Sequence, residues 1–198
     1  MGAAEKTLYP IVEYLELEDR SQEKHEYHDG YIIDMAGGTA PHSKICNNVS
    51  FALTLGLKDK KCSSYNSDLK ILAEKVNSYY YPDASVICGE LEFDAERKDI
   101  VKNPTVIVEV LSKSTALFDR TEKFWNYRTI PTFKEYVLIS QDKPLVEVFC
   151  KNDENKWVLT DVYGLEDSIL LESIGVELKL EDVFDKVDFE ESETEKGN

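Results

Sequence analysis

Two carboxylates stand where a buried strand has no structural use for them. Asp83 lies in Tyr81-Pro82-Asp83-Ala84-Ser85-Val86-Ile87, and Glu109 interrupts the apolar run Thr105-Val106-Ile107-Val108-Glu109-Val110-Leu111. Burying an ionised carboxylate costs on the order of several kcal/mol unless it is paired or bound to a cation. Two acids on adjacent strands, with a basic residue nearby, would make a site for a divalent metal and a phosphodiester. Downstream, Asp119, Lys123 and Tyr127 recur at i, i+4 and i+8 and so would share one face of a helix.

The elements that must position these residues follow from periodicity and turn chemistry. Residues 10–17 have apolar positions at helical spacing, and residues 26–35 form two β-prone runs around Asp29-Gly30, a two-residue hairpin signal. Thr39 can cap, and Pro41 can begin, a helix over 41–57 whose Ile45, Val49, Ala52, Leu53 and Leu57 follow one face. Core strands are expected at 67–73 and 79–88, then a polar exposed loop at 89–103. The strand at 105–111 should be covered on both faces, with Ile107, Glu109 and Leu111 on one side and Val106, Val108 and Val110 on the other. Ser114 or Thr115 can cap a helix over 116–128, which Ile130-Pro131 stops. A strand at 135–140, further β segments at 145–150, 156–163 and 168–171, and a short helix within 180–187 complete the chain.

Composition bounds the function. The 198 residues, 42% hydrophobic, can bury one substantial core, and the expectation is a single domain over 1–187 with an acidic, disordered tail at 188–198. No apolar run approaches the roughly 20 residues that span a bilayer and no leader pattern opens the chain, which points to the cytoplasm and away from membranes. Cys46, Cys62, Cys88 and Cys150 are scattered, without C-x-x-C or zinc-finger spacing, and are expected as reduced thiols. With 39 acidic against 23 basic residues, the net charge of −16 argues against a broad positive surface for nucleic acid. The absence of G-x-x-x-x-G-K, G-x-G-x-x-G and G-x-S-x-G patterns removes the corresponding nucleotide-binding and hydrolase classes.

Each candidate also has a structural reading. Asp83 after Pro82 suits a turn. Glu109 and Lys123 could form a buried pair joining helix to sheet, and Asp119 with Lys123 an ordinary i,i+4 pair worth about 0.3–0.5 kcal/mol. Tyr127 suits a core, His25 and His28 suit exposed or hairpin positions, and Tyr79-Tyr80-Tyr81 could pack the sheet as well as stack bases.

The order α-β-β-β-α-β, with Pro82-Asp83 on the second strand and an acid inside the third, resembles the PD-(D/E)XK nuclease superfamily. Asp29-Gly30, Met35, Pro41-His42, Ser67-Asp68-Leu69, Tyr81-Pro82-Asp83, Glu109-Val110-Leu111-Ser112-x-Ser114-Thr115 and Asp119-x-x-x-Lys123-x-x-x-Tyr127 together look like a bacterial restriction-endonuclease-like family formerly catalogued as a domain of unknown function. The resemblance runs from about residue 14 to about residue 187. It implies an α/β (α+β) restriction-endonuclease-like core, a mixed sheet with helices packed on it and added β elements at both ends.

It further implies a metal-dependent endonuclease acting on nucleic acid, with DNA the preferred substrate and a homodimer compatible with the β-rich ends. Asp83 and Glu109 would ligate Mg²⁺ or Mn²⁺ with the Val110 backbone carbonyl. The motif lysine should fall two residues after Glu109, where this chain has Leu111. Lys123 is the expected replacement, with Lys113 and Lys70 as competitors. Asp68 and Lys70 could line the cleft, Glu26 could add a ligand or base, and His42 could contact phosphate or position water. Asp119 and Tyr127 complete the accessory set. The departure at Leu111 keeps a second reading open, a catalytically silent nuclease fold that binds nucleic acid or protein. In a third, an interaction protein, Glu109 and Lys123 are only an internal pair.

Overall fold

The computed structural model describes residues 8–35, 37–95 and 97–189. Residues 190–198 of the expected acidic tail lie outside this set. Helix α1 (Ile11–Arg20) precedes a hairpin of β1 (His25–His28) and β2 (Tyr31–Asp34), turned by Asp29 and Gly30 at positive φ (42° and 101°). Helix α2 (Ala40–Gly56) opens on Thr39, whose hydroxyl accepts the His42 amide at 3.3 Å, and buries Ile45, Val49 and Leu53 at the expected spacing.

Next come β3 (Cys62–Asn66), β4 (Lys70–Ala73), β5 (Ser78–Tyr80), β6 (Ala84–Cys88), β7 (Phe93–Asp94), β8 (Arg97–Val101) and β9 (Val106–Leu111). A continuous helix over residues 116–127, α3, contains a π-helical turn at Asp119–Lys123. After it run β10 (Glu135–Ser140), β11 (Leu145–Lys151), β12 (Trp157–Tyr163), β13 (Ser168–Leu171), β14 (Val176–Lys179) and α4 (Leu180–Val183).

The strands form two six-stranded mixed sheets, β2-β1-β5-β4-β8-β7 and β12-β11-β10-β9-β6-β3, plus the β13-β14 ribbon. Within the second sheet β3, β6 and β9 are antiparallel neighbours and β9 and β10 run parallel. With α2 before and α3 between β9 and β10, this is the α-β-β-β-α-β restriction-endonuclease-like core. Among the described residues no helix is long and apolar enough to cross a membrane.

Four expectations are corrected. The first core strand is Cys62–Asn66, not 67–73; it is polar and half-exposed at a sheet edge, so hydrophobicity does not mark it, and residues 70–73 join the other sheet. The stretch 79–88 divides at residues 81–83, passing from one sheet to the other, and the polar 89–103 segment holds β7 and β8. Cys62 and Cys88 face each other in the β3–β6 register and form a disulfide, leaving Cys46 and Cys150 free. Antiparallel register, which a 26-residue separation conceals, brings them together.

Strand β9 is the axis of the core and is buried along its whole length. Val106, Val108 and Val110 pack with α2, β10, β11 and the C-terminal elements. Ile107 and Leu111 pack on the other side with Tyr127, Phe124 and Tyr136. Glu109 alternates onto that second, aromatic side and must find polar company there.

Candidate active site

Glu109 finds its company on α3. Its Oε1 lies 2.9 Å from Lys123 Nζ and accepts the Tyr127 hydroxyl at 3.1 Å. Lys123 is also 3.0 Å from Glu26 Oε1 and 3.6 Å from Asp119 Oδ1, and its ammonium sits 5.4 Å above the centre of the Tyr80 ring. Glu26 is fixed in turn by the Tyr81 amide at 3.1 Å. All of these side chains are buried, Glu109 to 4% exposure and Lys123 to 5%. The π-helical turn spans Asp119 to Lys123, a distortion that re-aims side chains and recurs at functional sites.

Asp83 enters from the neighbouring strand. Strand β6 begins at Ala84, opposite Val108, so beyond that point β9 has no partner on this side. The freed Val110 amide donates to Asp83 Oδ2 at 2.7 Å, and the Val110 carbonyl accepts from His42. His42 Nε2 lies 3.4 Å from Asp83 Oδ2, and Cys46, one turn along α2, places Sγ 3.5 Å from His42 Nδ1. Where Lys123 and Glu109 are sealed, the side chains of His42 and Asp83 keep 19% of their surface exposed, so this is the open end of the site.

The electrostatics differ along its length. Burial holds Glu109 well above the usual carboxylate range; Lys123 opposes this, and the negative charges of Asp119, Asp83 and Glu26 add to it. Asp119 is raised, again mainly by burial. Lys123 is itself raised well above the ordinary lysine value, because the surrounding carboxylates outweigh its burial. Both directions follow from a surplus of buried carboxylates gathered around one lysine. At the open end, burial would raise Asp83, but the His42 hydrogen bond and charge, the Val110 amide and Lys123 bring it below the usual range. His42 is raised, chiefly by its bond to Asp83, and Cys46 is raised by burial and by Asp83.

The sequence candidates therefore divide. Asp83, Glu109, Val110, Lys123, Glu26, His42, Asp119 and Tyr127 come together. Lys70 and Asp68 do not join them. Lys70 pairs with Glu18 at 3.3 Å and Asp68 with Lys24 at 2.7 Å, and Asp68 is exposed, so the expected shared cleft face does not form. Leu111, at the motif-lysine position, is core. His25, on the hairpin strand β1, is buried and holds Glu18 at 2.8 Å. Cys46 was missed, although its i+4 spacing from His42 on an expected helix could have revealed it.

Two proteins of Synechocystis sp. (strain ATCC 27184 / PCC 6803 / Kazusa) are related: "Uncharacterized protein sll1609" is 38% identical over 83% of this chain and 93% of its own length. "Uncharacterized protein slr1290" is 36% identical over 87% and 89%. The crystal structure of "a putative nuclease belonging to DUF820" from Anabaena variabilis ATCC 29413 superposes with a TM-score of 0.73 at 18% identity, covering 89% of this chain and 97% of that one, a likeness of fold. The profile of the family Uma2, described as "Putative restriction endonuclease", matches residues 11–181, and the chain belongs to that family.

Proposed function

We propose that this protein is a metal-dependent endonuclease that hydrolyses phosphodiester bonds, with DNA as its substrate. One observation carries the reading. Glu26, Glu109 and Asp119 surround a single lysine, beside an open end formed by Asp83 and His42. That surplus of buried negative charge is costly unless a further cation shares it.

The donors suit such an ion. Asp83 and Glu109 offer carboxylate oxygens and Val110 a carbonyl oxygen, the ligand types of Mg²⁺ and Mn²⁺. Bound there, the ion would make a coordinated water more acidic and offset phosphate charge. The rest is done by the chain. Lys123, locked by its three carboxylates, keeps its charge and offsets negative charge developing on the phosphate. Tyr127 orients Glu109, and His42, on the open side of Asp83, is placed to hold a phosphate oxygen or a water. Two copies would present one site to each strand of a duplex. The reading carries a cytoplasmic location with it, in which the Cys62–Cys88 bridge would be open to reduction by the thiol pool.

Cleavage of plasmid and linear DNA by the purified chain tests this. With Mn²⁺ or Mg²⁺ the wild type should nick and linearise plasmid. Lys123→Ala and Glu109→Gln should each lose about 10²–10³-fold in turnover, the usual effect of removing a positioned electrostatic group. Intact plasmid, single-stranded DNA and RNA with either metal would overturn the reading. The closed Glu109 to Lys123 contact, with Leu111 in the lysine position, favours a second one, a silent nuclease fold that binds nucleic acid or protein. In that case Mn²⁺ and DNA bind without cleavage.

A further inference from the structure

We propose that His42 and Cys46 extend the Asp83 end of the site into a transition-metal centre, one that prefers Co²⁺ or Zn²⁺ to Mg²⁺. The inference rests on the metal reading above only through Asp83. A ring nitrogen of His42, the Cys46 thiol sulfur and an Asp83 carboxylate oxygen all lie within 4.8 Å of one another. Ligand bonds of about 2.0–2.3 Å leave donors of one ion about 3–4 Å apart, so side-chain shifts of well under a turn would let all three meet one ion.

The fold holds them in that arrangement. His42 and Cys46 stand one turn apart near the start of α2, which is anchored by the Thr39 cap and by the burial of Ile45 and Val49 against the valine face of β9. Asp83 is fixed from the opposite side by the Val110 amide. All three residues are half-buried at the open end, so an ion can enter and one position stays free for water or phosphate.

The chemistry of the donors decides the class of ion. Mg²⁺ demands oxygen ligands in near-octahedral array and gains little from imidazole or thiolate, whereas Co²⁺ and Zn²⁺ bind both well. An all-oxygen Mg²⁺ site has no use for a cysteine at this position. The His42-x-x-x-Cys46 pair is thus a selectivity element laid beside the carboxylates.

Cobalt titration of the full-length protein tests the proposal without relying on cleavage. The wild type should develop a thiolate-to-cobalt charge-transfer band in the near ultraviolet together with visible ligand-field bands. Cys46→Ser should abolish the charge-transfer band, and Cys150→Ser, at the other free cysteine, should retain it. His42→Ala should weaken Co²⁺ binding about tenfold or more, and Mg²⁺ should compete only in roughly hundredfold excess. Should a variant fold poorly, X-ray absorption of the cobalt-loaded wild type should still show a sulfur neighbour at about 2.3 Å, the length of a zinc-type thiolate bond. A wild type without the charge-transfer band, a band that survives Cys46→Ser, or a first shell without sulfur would overturn the inference. Undiminished Co²⁺ affinity in Asp83→Asn would overturn the metal reading beneath it as well, so the two failures are distinguishable.

Discussion

Two lysines are buried among the described residues, and their surroundings differ in one respect. Lys70, 1% exposed, faces the single carboxylate of Glu18, whose remaining lone pairs take the His25 amide, the His25 ring and the Tyr81 hydroxyl. The ammonium also lies 5.1 Å above the rings of Tyr14 and Tyr81. Burial would raise Glu18, but the bonds from Tyr81 and His25 and the charge of Lys70 bring it below the usual carboxylate range. One charge meets one charge, and both oxygens of Glu18 are engaged. Lys123 sits among Glu26, Glu109 and Asp119 with Asp83 close by, and there burial raises Glu109 and Asp119 above the usual carboxylate range. A matched buried pair is structure, and an unmatched one is, on the proposed reading, a place for a further cation.

The largest expected effect separates the clusters directly. Lys70→Met should lower stability by about 3–5 kcal/mol, because it strands Glu18 as a buried charge without its cation. Turnover per folded molecule should stay unchanged. Denaturant unfolding alongside cleavage assays reads both, and a variant as stable as wild type would break the claim that this cluster is structural. Next in size is metal linkage. Mn²⁺ at about 100 times its dissociation constant should add about 2.7 kcal/mol, reversed by chelator and absent in Asp83→Asn. Equal stabilisation of wild type and variant would place the ion elsewhere.

A smaller effect follows from Glu109 itself. Its folded value lies above the unfolded reference of 4.5, so the native state binds the extra proton and loses stability as pH rises from about 4.5 through the raised value. Glu109→Gln removes that loss. The variant should therefore gain on wild type across this window, by about 1.4 kcal/mol for each pH unit separating the two values. Glu135, raised as well, contributes the same slope to both proteins, whereas Asp119, which shares Lys123 with Glu109, is part of the difference. Parallel pH profiles would show that the surplus carboxylates carry no strain.

What could be read from the chain follows the same division. Glu109 was legible because a charge inside a β-branched run must be explained, and α3 offered Asp119, Lys123 and Tyr127 on one face to explain it. The restriction-endonuclease-like order of helices and strands was legible from that run and its flanking helices. Glu18 was hidden in an acidic helix, where only its i+4 relation to Tyr14 hints that it turns inward. Strand β3 was hidden because Cys-Ser-Ser-Tyr-Asn at a sheet edge carries no apolar alternation, and with it the Cys62–Cys88 bridge. Cys46 was hidden by the search for zinc-finger spacing, which does not look along a helix. Lys70 was misplaced for a related reason. Proximity to Asp68 in sequence suggested a shared cleft, but residues 67–69 make a turn, and the two side chains end in different environments.

That misplacement gives the smallest expected effect. Asp68 meets Lys24 at 2.7 Å at the surface, with side-chain exposures of 73% and 37%. Solvent screens such a pair, and exposed pairs contribute at most about 1 kcal/mol. Asp68→Asn should therefore shift stability by less than that and leave cleavage and Mn²⁺ affinity at wild-type levels. It removes a carboxylate of the same kind as Asp83 from a neighbouring segment, so it controls for any general effect of lowering the net charge of −16. If Asp68→Asn weakened Mn²⁺ binding as much as Asp83→Asn, affinity would follow overall charge. The contrast between the matched and the unmatched lysine would then lose its meaning.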